Sequence, residues 1–146
     1  MASDFLQSIT VYLDSDVVIS ALLSQKGAAF WLMQEIPGLK IILSSLSMEE
    51  IVNVTNRKAI DIPEGFFSNV ELCEIEPTGS ISSEFNKYVN DPNDRFIVYS
   101  AMRAQVDYLI TYNVKDYKLA EILTDFNIIT HTPGDFLQYL RFKGCI

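Results

Sequence analysis

A single-domain, three-layer α/β/α sandwich on a central, mostly parallel five-stranded sheet is the fold this sequence predicts, from three observations. Short continuous apolar runs, among them "TVYLD" (10–14), "GLKIILS" (38–44) and "VDYLIT" (106–111), recur between segments of helical spacing. Strands of that kind are covered on both faces, and their alternation with helices implies a parallel sheet. The chain has 146 residues, 49% of them hydrophobic, enough for one domain with a real core. Finally, no repeat, low-complexity tract or Gly/Ser/Pro-rich linker divides it, so residues 1–146 form one unit with 1–8 as a short N-terminal extension.

The elements follow in order. "TVYLD" is the first strand, and "DVVISALLSQKGAAFWLMQEI" is one or two helices broken near Gly27. The Pro37-Gly38 turn leads into "GLKIILS", the second strand, and "SMEEIVNVTNRKA" is helical. After an irregular stretch around Pro63 and Gly65, "VELCEIE" is the third strand. "SISSEFNKYV" and "DPNDRFIVYSAMRAQ" are helices, "VDYLIT" the fourth strand, "VKDYKLAEIL" a helix and "FNIIT" the fifth strand. Pro133 starts a closing helix, "PGDFLQYLRFK".

Composition narrows the function classes. A net charge of −8 argues against coating nucleic acid by bulk electrostatics, but allows a small site where a cation supplies the missing positive charge, or a basic protein partner. No apolar run reaches membrane-span length, and "MASDFLQSIT" lacks the basic and apolar regions of a secretory signal. Cys73 and Cys145 are far apart, with no His or Cys nearby, and read as reduced thiols of a cytoplasmic protein.

Ligands of parallel sheets gather beyond the carboxyl ends of the strands, where strand order reverses. The polar residues at those ends are therefore the informative ones. Asp14 ends the first strand and Ser44 the second, with Glu50 in the first turn of the next helix. Asp94 lies in the first turn of the helix before the fourth strand, which ends in Thr111 and is followed by Asn113 and Asp116. Each has a local reading: Ser47-x-x-Glu50 as a capping box, Asp91 as an N-cap with Asp94 in its first turn, Asn113 and Asp16 as caps. Asp14 is different, because a cap need not be the last residue of a buried strand. Two unit charges about 4 Å apart repel by about 4 kcal/mol at an effective dielectric near 20. Clustered carboxylates therefore call for a divalent cation, and all-oxygen ligands suit Mg²⁺ or Mn²⁺ rather than zinc.

In these residues the sequence resembles the PIN domain family of metal-dependent ribonucleases, from about Val11 to Leu140. "VYLDSDVVISALL" matches the opening strand and gives Asp14; "SSLSMEEIVNV" gives Glu50, before Ile51; "DPNDRFIVYSAM" gives Asp94; "DYLIT" leads into the closing "TYNVKDY". There Asn113 takes the place of the fourth acid and Asp116 is the nearest carboxylate, a Thr-x-Asn-x-x-Asp variant similar to that of VapC-like toxins, as is the ending "IITHTPGDFL". The resemblance implies hydrolysis of RNA phosphodiesters. Asp14 and Asp94 would hold Mg²⁺ or Mn²⁺, Glu50 and Asp116 would bind a second ion or orient water, and Asn113 would offer a neutral carbonyl ligand. Ser15 and Thr111 are expected to position substrate. It also implies an antitoxin protein as partner and a homodimer, and the amide at 113 implies weaker metal binding than four acids would give.

Two rivals are weighed against this reading. "DSDVV" also satisfies the Asp-x-Asp-x-Val/Thr motif of haloacid-dehalogenase-type phosphatases, with Asp14 as nucleophile and Asp16 as acid/base, but the later acids come in the wrong order. A PIN-like fold kept only for binding would explain Asn113, against the retention of Asp14, Glu50 and Asp94. Lone His131 reads as a turn or surface residue, and Phe30, Trp31 and Met33 as core or partner surface. Arg57, Lys58, Lys115 and Lys118 are candidates for phosphate contact or ordinary helix faces.

Overall fold

The computed structural model describes residues 9–146, so the expected extension at 1–8 lies outside the described residues. Five parallel strands form one sheet: β1 (Ile9–Leu13), β2 (Leu39–Ser44), β3 (Val70–Cys73), β4 (Tyr108–Ile110) and β5 (Ile129–His131). Their spatial order is β3-β2-β1-β4-β5. The chain builds outward from β1 to β3, then crosses back to lay β4 on the other side of β1, pairing Leu13 with Ile110.

Alternation along the strands divides the core into two layers. Val11, Leu13, Leu43 and Ile110 face α1 (Ser15–Leu23), α2 (Ala28–Met33) and α6 (Pro133–Phe142), meeting Val17, Leu32 and Phe136. Tyr12, Ile42 and Leu109 face the other way, against Ile97 and Val98 of α4 (Arg95–Arg103) and Ile122 of α5 (Leu119–Phe126). The break at Gly27 separates α1 from α2 as expected, and Gly38 takes the left-handed φ of 80° that lets the chain turn into β2.

Several local expectations are corrected. The helix after β2, α3 (Ser45–Arg57), starts earlier than the capping-box reading required: the Ser44 hydroxyl caps it by accepting the Ser47 N–H at 3.1 Å. Glu50 therefore sits in its second turn and takes no part in the cap. Residues 83–88 form a 3₁₀ segment rather than an α-helix. Three residues per turn place Phe85 and Tyr88 on one side, where both pack on the Phe126 ring at 6.0 and 4.9 Å. The predicted helix from Val114 is a 3₁₀ turn, Val114–Asp116, followed by α5 from Leu119. The backbone between them is diverted to pair with the preceding segment: the Asn90 N–H reaches the Asp116 carbonyl and the Lys118 N–H the Tyr88 carbonyl, each at 2.9 Å. His131 belongs to β5, its ring 5.8 Å from that of Tyr108, while Trp31 is half exposed. Among the described residues no helix is long and apolar enough to cross a membrane.

Candidate active site

Strand order reverses between β1 and β4, so the crevice beyond their carboxyl ends is where the fold offers a site. Asp14 stands at its centre. Its N–H continues the β1/β4 ladder by donating to the Ile110 carbonyl at 2.9 Å, and its own carbonyl starts α1 by accepting from Val17 at 3.0 Å. Asp14 occupies the N-cap position, but its carboxylate makes no cap bond. Its Oδ2 instead accepts from the Thr111 hydroxyl and the Tyr117 hydroxyl, each at 2.9 Å. Thr111 Oγ1 in turn accepts the Asn113 N–H at 3.1 Å, which leaves the Thr111 proton free to point at Asp14.

Asp16, in the first turn of α1, lies beside this group. Its Oδ2 accepts the Tyr112 N–H at 3.2 Å and the Asn113 side-chain amide at 2.9 Å. The capping readings of Asp16 and Asn113 are both overturned, since each spends its side chain on the other. Asp91 does cap, accepting the Asn93 N–H at 3.0 Å, whereas the carboxylate of Asp94 makes no cap bond. Buried Thr111, expected to position substrate, directs its hydroxyl to Asp14 instead. Ser15 is only 2% exposed, and its Oγ is buried without a hydrogen-bond partner.

The electrostatics tie the remaining acids to this centre. Burial raises the Asp14 carboxyl above its ordinary value, opposed by the Thr111 and Tyr117 hydroxyls and reinforced by the charge of Glu50. Asp16 is pushed up to about 7, first by burial and then by Asp14. Asp94 is pushed up to about 6 by burial, then by the charges of Asp14, Asp91, Asp116 and Glu50. Burial and the neighbouring Asp14 charge also raise the Tyr117 phenol, so it stays neutral and donates. Asp14, Glu50, Asp94 and Asp116 thus share one field, joined by charge rather than by direct hydrogen bonds. Among the described residues no three Asp, Glu, His or Cys side chains form a ready-made metal cage. The donor set is hard oxygen, mutually repulsive, with a buried Asp16 Oδ1 that has no partner. It fits a divalent cation that keeps part of its water shell.

A groove of about 330 Å³ adjoins Glu50, lined also by Glu49, Asn53, Arg57, Thr78 and Phe96. A cavity of about 450 Å³ on the Phe85–Phe126 aromatic cluster holds none of the acids of the crevice. Sequence reasoning gave two members of the site no part in this centre. Asp16, two residues beyond Asp14, entered only as a cap or as the acid/base of the phosphatase rival; Tyr117 had no signal, because only the folded chain brings its hydroxyl to Asp14.

The molecule is thus a parallel α/β/α domain with carboxylates collected at its switch point. The chain is a member of the PIN domain family, whose family model matches residues 10–115. Its fold is similar to that of a chain in VapBC-1 from nontypeable Haemophilus influenzae, with a TM-score of 0.57 and 18% identity over 86% of this chain and 99% of that one. It is also similar to a chain in VapBC2 from Rickettsia felis, solved bound to a DNA fragment from their promoter: TM-score 0.54, 15% identity, 85% and 98% covered. At such identities the likeness is one of fold. No curated protein matches the chain. Family membership leaves the phosphatase reading of Asp14 and Asp16 without support.

Proposed function

We propose that this protein is an endoribonuclease that hydrolyses RNA phosphodiester bonds with Mg²⁺ or Mn²⁺, and that it is the toxin of a toxin–antitoxin pair acting in the cytoplasm as a homodimer. One observation carries the reading: acids from four separate segments meet at the switch point, where the charge of Glu50 raises the Asp14 carboxyl and the charges of Asp14, Asp116 and Glu50 raise that of Asp94. The VapBC likeness of the fold supports the antitoxin partner.

Asp14 and Asp94 are the residues to hold the ion, directly or through water, with Glu50 and Asp116 around them. A bound divalent ion would polarise the phosphate and lower the pKa of an attacking water. The protein's part is to keep the carboxylates fixed. Thr111 and Tyr117 hold one oxygen of Asp14, so that its orientation is set before any ligand arrives. The groove beside Glu50 gives the RNA strand a path along α3, and Arg57, which makes no ion pair among the described residues, lies two helical turns from Glu50 to meet a neighbouring phosphate.

The test is cleavage of single-stranded RNA by the purified protein with Mn²⁺ and with excess chelator. Cleavage should need the ion and disappear in Asp14→Asn and Asp94→Asn. Undiminished cleavage in chelator, or full activity of Asp14→Asn, overturns the reading. Growth arrest on expression, relieved by the product of a neighbouring reading frame, tests the toxin role.

A further inference from the structure

Asn113 stands where the fourth acid of the site is expected, and an amide there takes one negative charge away from the centre. The structure shows what that amide does. Its Nδ2 donates to Asp16 Oδ2 at 2.9 Å, across 97 residues of chain. The Tyr112 N–H donates to the same oxygen at 3.2 Å, so both donors fall on one side of the carboxylate. The other oxygen, Oδ1, is buried and has no partner. The neighbouring Ser15 hydroxyl, in a residue 2% exposed, is likewise unpartnered. A carboxylate oxygen shut away from water without a donor is costly, and the cost is removed when a cation or its bound water occupies the space.

We infer that Asp16 supplies the metal centre with the carboxylate that position 113 lacks, held in place by Asn113, so that acid and amide have exchanged positions across the crevice. The inference rests on reading the site as a metal centre and deepens it. The amide at 113 then costs the site no charge: it turns one oxygen of Asp16 toward itself and leaves Oδ1 for the ligand. It also gives Asn113 a different part from the neutral ligand read from the sequence, that of a positioning residue. A carboxylate at 113 with Asp16 retained would face Asp16 as a like charge at hydrogen-bonding distance, whereas an amide there donates to it.

An exchange of the two residues tests this, with Mn²⁺ alone as the probe. Mn²⁺ affinity is measured by titration, and the melting temperature of the metal-free protein at pH 8 by calorimetry. The set is the unaltered chain, Asp14→Asn, Asp16→Asn, Asn113→Asp and the double exchange Asp16→Asn/Asn113→Asp. Asp16→Asn keeps an oxygen to accept from Tyr112 and from Asn113, so the fold is retained. It should weaken Mn²⁺ binding by about tenfold or more and raise the metal-free melting temperature. Asn113→Asp should lower that temperature, since it adds a charge beside Asp16. The double exchange should return both readouts close to those of the unaltered chain, which a merely structural role for either residue would not do. If Asp14→Asn loses Mn²⁺ while Asp16→Asn binds it as the unaltered chain does, or the double exchange recovers nothing, this assignment fails and the metal centre stands. If the unaltered chain itself binds no Mn²⁺, the metal centre and the assignment fall together.

Discussion

Tyr12 and Asp14 stand two residues apart at the end of the same strand, and the fold treats their buried oxygens in opposite ways. The Tyr12 hydroxyl lies 2.8 Å from Ser44 Oγ and 2.5 Å from Ser47 Oγ, and the two serines are 3.2 Å apart. All three residues are fully buried, burial raises the phenol so that it stays neutral, and no charge is shut in. The triangle ties β1, β2 and the start of α3 together. Around Asp14 the polar atoms are charged, repel one another and leave Asp16 Oδ1 without a partner. A closed neutral network stabilises a fold; an open charged one stores a conflict that a ligand relieves. The contrast separates a residue that holds the molecule together from one that the molecule holds ready.

Four measurements break or sharpen that contrast. The largest effect is expected from Asp14→Asn, which keeps an oxygen for Thr111 and Tyr117 but removes the charge. RNA cleavage should fall by at least about a hundredfold, the scale of losing an electrostatic catalytic group, while the metal-free protein unfolds at a higher temperature. Activity within twofold of the unaltered chain contradicts it. Next are two matched removals of a single hydroxyl. Tyr117→Phe takes one of the two donors from Asp14, a bond to a charged group worth about 1.5–3 kcal/mol, and should weaken Mn²⁺ binding by about tenfold in a titration. Tyr12→Phe should instead cost about 1 kcal/mol in denaturant unfolding and leave Mn²⁺ affinity alone, because Ser44 and Ser47 still bond each other. Equal effects of the two on metal binding would erase the distinction between the clusters.

The smallest effect is the pH dependence of the metal-free protein. Asp16 rises from 3.8 to about 7 and Asp94 from 3.8 to about 6 in the folded state. The folded chain therefore binds more protons than the unfolded one between those values. The stability these groups contribute is fully present below about pH 4 and is lost as pH rises through 6 and 7. A melting temperature that falls by a few degrees between pH 5 and 8, and regains that loss with saturating Mn²⁺, is the expected result. A rise over the same range without metal would show that the acids are not in conflict.

The order of strands and helices was legible because it rests on runs of apolar side chains, and Asp14 was legible because an acid at the tip of such a run has no local use. Misread residues were those with a plausible local partner. Ser47 and Glu50 have the spacing of a capping box, yet Ser44 is one turn earlier and takes the cap. Asp16 and Asn113 each suit an N-cap, and choosing between that and their mutual bond requires knowing that β4 lies beside β1. Similarly, 83–88 carries helical composition, but the fit of Phe85 and Tyr88 against Phe126 makes it 3₁₀.

By itself the sequence determined the layered α/β plan and the identity of the acids at the strand ends, since hydrophobic periodicity and residue type are properties of neighbours along the chain. Only the tertiary structure decided which donor meets which carboxylate. Thr111 and Tyr117 are 97 and 103 positions from Asp14, and contacts at that separation exist only once the sheet has closed in the order that sets β4 against β1.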